Sequence, residues 1–130
     1  MLNSGLINPH VLSLVARVRH TNRLVIADWA FPSWPDIETV DLSLVAGIPT
    51  VLQVLDALLP HWKCGAAYMA EEFLRHNPPE VVNQFRTALR GAPLGLEPHN
   101  DFKRTRVPGA IGLIRTADTT IYSNMVLVSG

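Results

Sequence analysis

The chain has 130 residues, which is enough to bury a hydrophobic core and fits one domain, residues 1–130, since domains most often contain roughly 100 to 150 residues. Its 11 basic and 11 acidic residues cancel, so it lacks the positive charge typical of nucleic-acid-binding proteins. No stretch approaches the roughly 20 apolar residues of a membrane span, and the N-terminus lacks a signal-peptide pattern. The single cysteine, Cys64, excludes an internal disulfide and suits a reducing compartment. We therefore expect a cytoplasmic protein with a small or neutral partner, and no contact with nucleic acid or membrane.

Hydrophobic periodicity predicts helices and strands that alternate, as in an α/β domain. Asn8 before Pro9 is typical of a helix start, and Thr50 is a suitable N-cap for a second amphipathic helix. The continuous apolar run at 24–27 predicts a strand covered on both faces. In chain order, the predicted elements are a helix at 9–20, strands at 24–27 and 40–44, a helix at 51–59, a strand at 65–70, a helix at 79–89, and strands at 94–96, 110–114 and 125–128.

Two polar residues bracket the predicted strand at 24–27. His20 precedes the strand and Asp28 follows it, at the carboxyl end where ligands bind in open α/β sheets. An imidazole with an unperturbed pKa near 6.5 exchanges protons at neutral pH, and a carboxylate can orient that imidazole or accept hydrogen bonds from a polyol. From position alone, a helix-capping histidine and a turn-forming aspartate are equally good interpretations.

The loop after Asp28 is rich in aromatic residues. Pro32 and Pro35 are too close together for a helix, so we predict an ordered loop. Trp29 and Trp34 then have two interpretations: they pack the loop onto the domain, or they form an apolar wall for a ligand.

Several common site motifs are absent from the sequence. The glycines form no phosphate-binding loop, and no serine lies in a Gly-x-Ser-x-Gly turn. The five histidines lack the spacing of metal ligands on one helix. We interpret His10, His61 and His76, which lie near predicted helix ends, as structural. The charged residues of 71–76 are interpreted as a solvated surface.

A series of short motifs extends along nearly the whole chain. They are Leu2-Asn3-Ser4, Arg19-His20-Thr21-Asn22, Asp28, Phe31-Pro32, Ala70-Glu71-Glu72, His76-Asn77-Pro78, His99, Phe102-Lys103, Ile114-Arg115-Thr116 and Tyr122-Ser123-Asn124. In this order and spacing, the chain resembles the D-ribose pyranase and L-fucose mutarotase family.

The resemblance implies a single compact α/β domain with a mostly parallel central sheet flanked by helices. It also implies an enzyme that interconverts the cyclic forms of a free monosaccharide, without metal or organic cofactor. Ring opening needs a proton on the ring oxygen and loss of one from the anomeric hydroxyl, which general acid and base groups supply. The resemblance further implies a homo-oligomer, commonly a decamer, with its site near a subunit boundary.

The resemblance also assigns roles to individual residues. It implies His20 as the catalytic acid/base and four substrate-binding residues: Asp28, His99, Tyr122 and Asn124. His99 favours D-ribose as the sugar, whereas the Phe31-Pro32 pair is similar to the L-fucose branch. A non-catalytic sugar-binding or transport-accessory protein is the alternative from another class.

Overall fold

Six strands form one mixed sheet in the computed structural model, which describes all residues from 1 to 130. They are β1 (Arg23–Ala27), β2 (Glu38–Asp41), β3 (Cys64–Ala70), β4 (Leu94–Glu97), β5 (Gly112–Arg115) and β6 (Met125–Ser129). The strand order is β2-β5-β1-β6-β3-β4. Every neighbouring pair is parallel except the two that involve β6, which runs antiparallel to β1 and β3. The predicted α/β domain with a mostly parallel sheet is confirmed.

Helices cover the sheet, and the two that the sequence predicts to begin after Asn8 and Thr50 have side-chain N-caps. They are α1 (Pro9–Arg17), α2 (Val51–Leu58), α3 (Glu72–His76), α4 (Pro79–Ala88) and α5 (His99–Asp101), and α5 continues as a π-helix (Phe102–Arg106). The Asn8 side chain accepts hydrogen bonds from the first turn of α1, and Thr50 forms a capping box with Gln53 at α2. None of these helices has the length and apolar character needed to cross a bilayer.

The predicted ends of two elements, α1 and β2, were wrong by three residues. Helix α1 ends at Arg17 instead of near His20, because Val18 turns into extended backbone and buries its side chain. Strand β2 occupies Glu38–Asp41 instead of 40–44, because the Asp41 side chain accepts the Ser43 N–H at 2.9 Å and turns the chain away.

The core lies on both faces of the sheet, and β1 contributes to each. Leu24 and Ile26 face the larger cluster, which includes residues of α1, α2 and α4, whereas Val25 and Ala27 face a smaller cluster around Phe102. This confirms a strand covered on both sides. Helix α1 approaches β5 closely at Gly112: a Cβ there would lie 2.3 Å from a Leu14 methyl carbon, so a larger residue would displace the buried Leu14 side chain.

Candidate active site

A pocket of about 300 Å³ opens at the edge of the sheet where β1 and β4 end. Asp28 follows β1 and His99 lies just after β4, while Asn124 precedes β6. Because β6 is antiparallel to β1, its first residues lie at this same edge. The walls of the pocket are residues 28–32, His99, 119–122 and Asn124. The volume is at the lower end of the range for small-molecule sites, so it suits a small ligand.

Asp28 lines this pocket and is buried, with 6% of its surface exposed. Its N–H donates to the Asn124 Oδ1 at 2.7 Å, and its own Oδ1 accepts the Ala30 N–H at 3.0 Å. Burial raises the pKa of Asp28, and the hydrogen bonds from the Ala30 and Phe31 N–H groups oppose this only in part. The carboxyl therefore accepts a proton more readily than an exposed aspartate does.

The loop after Asp28 is held from the neighbouring strand and presents one tryptophan to the pocket. The Arg115 guanidinium donates to the Asp28 carbonyl at 3.1 Å and to the Pro32 carbonyl at 3.3 Å. Trp34 is half-buried and packs on Phe31, with ring centroids 6.3 Å apart. Trp29 is 56% exposed and lines the pocket. Each of the two interpretations therefore applies to one tryptophan: Trp34 packs the loop onto the domain, and Trp29 forms part of the pocket wall.

His99 enters the pocket from the first residue of α5. Its backbone N–H donates to both carboxylate oxygens of Glu72, at 3.1 and 3.0 Å. Its ring stacks on Phe102, and the Tyr122 ring meets it edge-on with centroids 5.1 Å apart. Burial, then the charge of Lys103, lowers the pKa of His99, so its imidazole is neutral at pH 7. A neutral imidazole has one donor and one acceptor nitrogen, and Nδ1 is buried without a hydrogen-bond partner in the protein.

Tyr122 lies in the pocket wall with an unusual backbone conformation. Its φ is 57°, in the left-handed region that a non-glycine residue occupies at a cost of about 1 kcal/mol or more. The Tyr122 ring contacts two imidazoles, with centroid distances of 5.4 Å to His76 and 5.1 Å to His99. The Asn77 side-chain amide donates to the preceding carbonyl, that of Ile121, at 3.0 Å. Tertiary contacts thus hold this strained turn.

His20 does not join the other four predicted site residues within one chain. It is exposed in the turn that precedes β1, whereas Asp28 follows that strand. The five residues of β1 alone separate the two ends by about 13 Å at the usual rise of a strand. One chain therefore brings together Asp28, His99, Tyr122 and Asn124, and their roles, like that of His20, stay predictions.

The sequence interpretation overlooked the contribution of α3. Glu72 was expected to be a solvated charge, yet its carboxylate accepts the His99 backbone N–H. His76 was expected to be structural, and its ring packs on Tyr122 in the pocket wall. Both residues belong to the short motifs at 70–72 and 76–78, which were the available signal. No group of three or more histidine, cysteine, aspartate or glutamate side chains is arranged to hold a metal ion.

Comparison with known proteins places the chain in a family. The profile of the RbsD / FucU transport protein family matches residues 1–130. The chain belongs to this family. Among its members, the D-ribose pyranase of Chromobacterium violaceum is 38% identical over 130 residues, which is 100% of this chain and 98% of the relative. The D-ribose pyranase of Geobacillus kaustophilus is 37% identical over 130 residues, covering 100% of this chain and 94% of the relative.

Two solved structures relate the fold to both branches of the RbsD / FucU family. Bacillus subtilis RbsD complexed with D-ribose superposes with a TM-score of 0.91 at 27% identity, covering 100% of this chain and 98% of that one. The fucose mutarotase of Streptococcus pneumoniae in complex with L-fucose gives a TM-score of 0.80 at 19% identity, covering 95% of this chain and 93% of that one. The second likeness shows the shared fold alone.

Proposed function

We propose that this RbsD / FucU family member is a cofactor-independent sugar isomerase that interconverts the cyclic forms of a free monosaccharide, D-ribose foremost. One observation carries the proposal: Asp28, His99, Tyr122 and Asn124 line one small pocket. It gains weight because relatives that are 37 and 38% identical over the whole chain are named D-ribose pyranase.

The reaction moves protons and exchanges one C–O bond for another. Loss of the anomeric hydroxyl proton forms the C1 carbonyl while the C1–O ring bond breaks, and the ring oxygen gains a proton. Ring closure follows when a hydroxyl oxygen attacks C1. Attack by a different hydroxyl changes the ring size, and attack on the other face of the carbonyl gives the other anomer. The substrate is neither oxidised nor reduced overall. General acid and base groups accelerate both steps.

The chain offers groups suited to each part of this reaction. His20 is our candidate for the proton carrier, because the family resemblance implies this role and the residue is exposed. The buried Asp28 carboxyl and the neutral His99 imidazole are suited to accept and donate hydrogen bonds with sugar hydroxyls. Tyr122 and Asn124 add a phenol and an amide to the same wall.

His20 reaches a pocket, in this proposal, only across a subunit boundary. We propose a homo-oligomer, as large as the decamer that the family resemblance implies, in which His20 of one copy completes the pocket of another. The exposed apolar side chains of Trp29 and Ile121 beside the pocket, and of Val45 and Ile48, support such a contact. We further propose that the protein acts in the cytoplasm, a reducing compartment that suits its single free cysteine, Cys64.

L-Fucose is the second candidate substrate, and the apolar rim favours it. Trp29, Phe31 and Ile121 line the pocket, and they provide an apolar surface for the C6 methyl group of a 6-deoxy sugar. D-Ribose has no such methyl group, so comparing the two sugars also tests the contribution of this rim.

Saturation-transfer NMR on D-ribose and L-fucose tests the proposed function. We expect the protein to accelerate exchange between ring forms, His20→Ala to abolish the acceleration while keeping the wild-type fold, and His10→Ala to retain it. Sugar binding without accelerated exchange would instead show a non-catalytic sugar-binding or transport-accessory protein.

A further inference from the structure

Helix α3 and the residue after it touch the candidate site from outside the pocket at three points. Both oxygens of the Glu72 carboxylate accept a hydrogen bond from the His99 backbone N–H, at 3.1 and 3.0 Å. The His76 ring packs on Tyr122 with centroids 5.4 Å apart, and the Asn77 amide donates to the Ile121 carbonyl at 3.0 Å. None of Glu72, His76 and Asn77 lines the pocket, so they can act on a ligand only through the residues they hold.

We infer that α3 is the positioning element of the sugar site, with Glu72 as the residue that sets His99 and with His76 and Asn77 setting Tyr122. The inference rests on the proposed function, because it concerns side chains that would hold the sugar.

The first argument is the missing cap of α5. This helix begins after Pro98, and no side chain of its own N-cap satisfies the free N–H groups of its first turn. Glu72 supplies the acceptor from another element, and an ionised acceptor makes a stronger hydrogen bond than a neutral one. Burial raises the pKa of Glu72, but hydrogen bonds from the N–H groups of His99 and Glu72, with the charge of Arg75, give a net lowering. The carboxylate is therefore ionised at neutral pH.

The second argument is that α3 is itself fixed to the core. Phe73 is fully buried and packs on Phe85, with ring centroids 4.7 Å apart. The Asn77 amide also donates to the Phe73 carbonyl at 2.9 Å, which ties the end of the helix to its start. A helix held in this way transmits a defined position to His99 and Tyr122.

The third argument is the strain at Tyr122. Its left-handed backbone, with φ at 57°, persists only where the surroundings impose it. His76 supplies a second ring contact to Tyr122, and the Asn77 side chain holds the carbonyl of the preceding residue, Ile121. These contacts direct the Tyr122 ring towards His99.

The charge of Glu72 provides a readout that a purely structural role would not affect. The groups that face His99 are Glu72 from α3, Lys103 from the π-helix, and the uncharged rings of Tyr122 and Phe102. Lys103 lowers the pKa of His99 and Glu72 raises it. Removing the Glu72 charge leaves Lys103 unopposed, so the pKa of His99 falls further.

The test compares Glu72→Gln with Glu71→Gln, the same chemical change one residue earlier. Glu71 is 45% exposed in its side chain and pairs only loosely with Arg75, at 3.8 Å. In sugar-free protein, NMR titration of the His99 ring should give a lower pKa in Glu72→Gln and the wild-type value in Glu71→Gln. In saturation transfer, Glu72→Gln should lose roughly tenfold in kcat/KM, which corresponds to about 1.4 kcal/mol, and Glu71→Gln should match the wild type.

A second pair of variants tests the contact with Tyr122. His76→Ala should raise the KM for sugar and shift the Tyr122 ring resonances, and His76→Phe, which keeps an aromatic ring, should restore both. Wild-type titration of His99 in Glu72→Gln, or equal losses in both glutamate variants, would overturn the inference. If the wild type accelerates no sugar exchange, the proposed function fails, while the His99 titration in sugar-free protein still decides the role of Glu72.

Discussion

Mixing two inactive variants should restore activity if His20 acts across a subunit boundary. Within one chain, His20 and Asp28 lie beyond opposite ends of β1, which alone spans about 13 Å. A complete site would then take Asp28 from one copy and His20 from another. When His20→Ala and Asp28→Asn chains assemble at random in equal amounts, about one quarter of the sites draw both intact residues from the right copies. We therefore expect about one quarter of the wild-type exchange rate.

The experiment uses equal co-expression of the two variants, with their ratio checked by mass spectrometry and exchange measured by saturation-transfer NMR. A matched control mixes Asp28→Asn with Asn124→Ala, two residues that line the same pocket of one chain. Every pocket in that mixture lacks one of the two residues, so no complementation is expected. Mixed oligomers of His20→Ala and Asp28→Asn that stay as inactive as each variant alone would refute the shared site.

Three further predictions follow from the geometry of the pocket. Asn124→Ala removes the acceptor of the buried Asp28 N–H, at 2.7 Å, and should lower the free energy of unfolding by about 1–3 kcal/mol in urea titrations, whereas the exposed Asn83→Ala should have little effect. Trp29→Ala removes a 56% exposed part of the pocket wall and should raise the KM for sugar roughly fivefold in saturation-transfer NMR. The pKa of His99 lies below 6.5 in the folded chain, so the unfolded chain binds more protons as the pH falls from 6.5 towards the folded pKa. The free energy of unfolding should therefore decrease over that window, and His99→Gln should reduce this slope.

Much of the fold was predictable because its signals are local. The apolar run of β1 and the caps at Asn8 and Thr50 each depend on neighbours in sequence, and each prediction was confirmed. The errors occurred where distant contacts decide. The end of α1 depends on burial of Val18, and β2 follows its pairing with β5 through Glu38–Asp41.

The same distinction between local signals and distant contacts applies to the candidate site. Asp28, His99, Tyr122 and Asn124 were named from motifs, and the fold brings them to one pocket. The role of α3 was beyond the sequence, because the contact of Glu72 with His99 joins residues 27 positions apart and depends on how two helices lie at one edge of the sheet. A charged residue in a motif has the same appearance in sequence whether it faces water or caps another helix.

The direction of β6 decides which residues meet. Its apolar pattern is the same whether the strand runs parallel or antiparallel to its neighbours, so the sequence does not specify this direction. Because β6 is antiparallel to β1, Asn124 lies beside Asp28, and the far end of β6 lies beside the turn of His20, where the Thr21 N–H donates to the Ser129 carbonyl at 3.0 Å. A parallel β6 would have placed Tyr122 and Asn124 near His20 and away from Asp28. The same strand direction that assembles the pocket therefore keeps His20 out of it within one chain, which is why the mixing experiment is the decisive test of catalysis at this site.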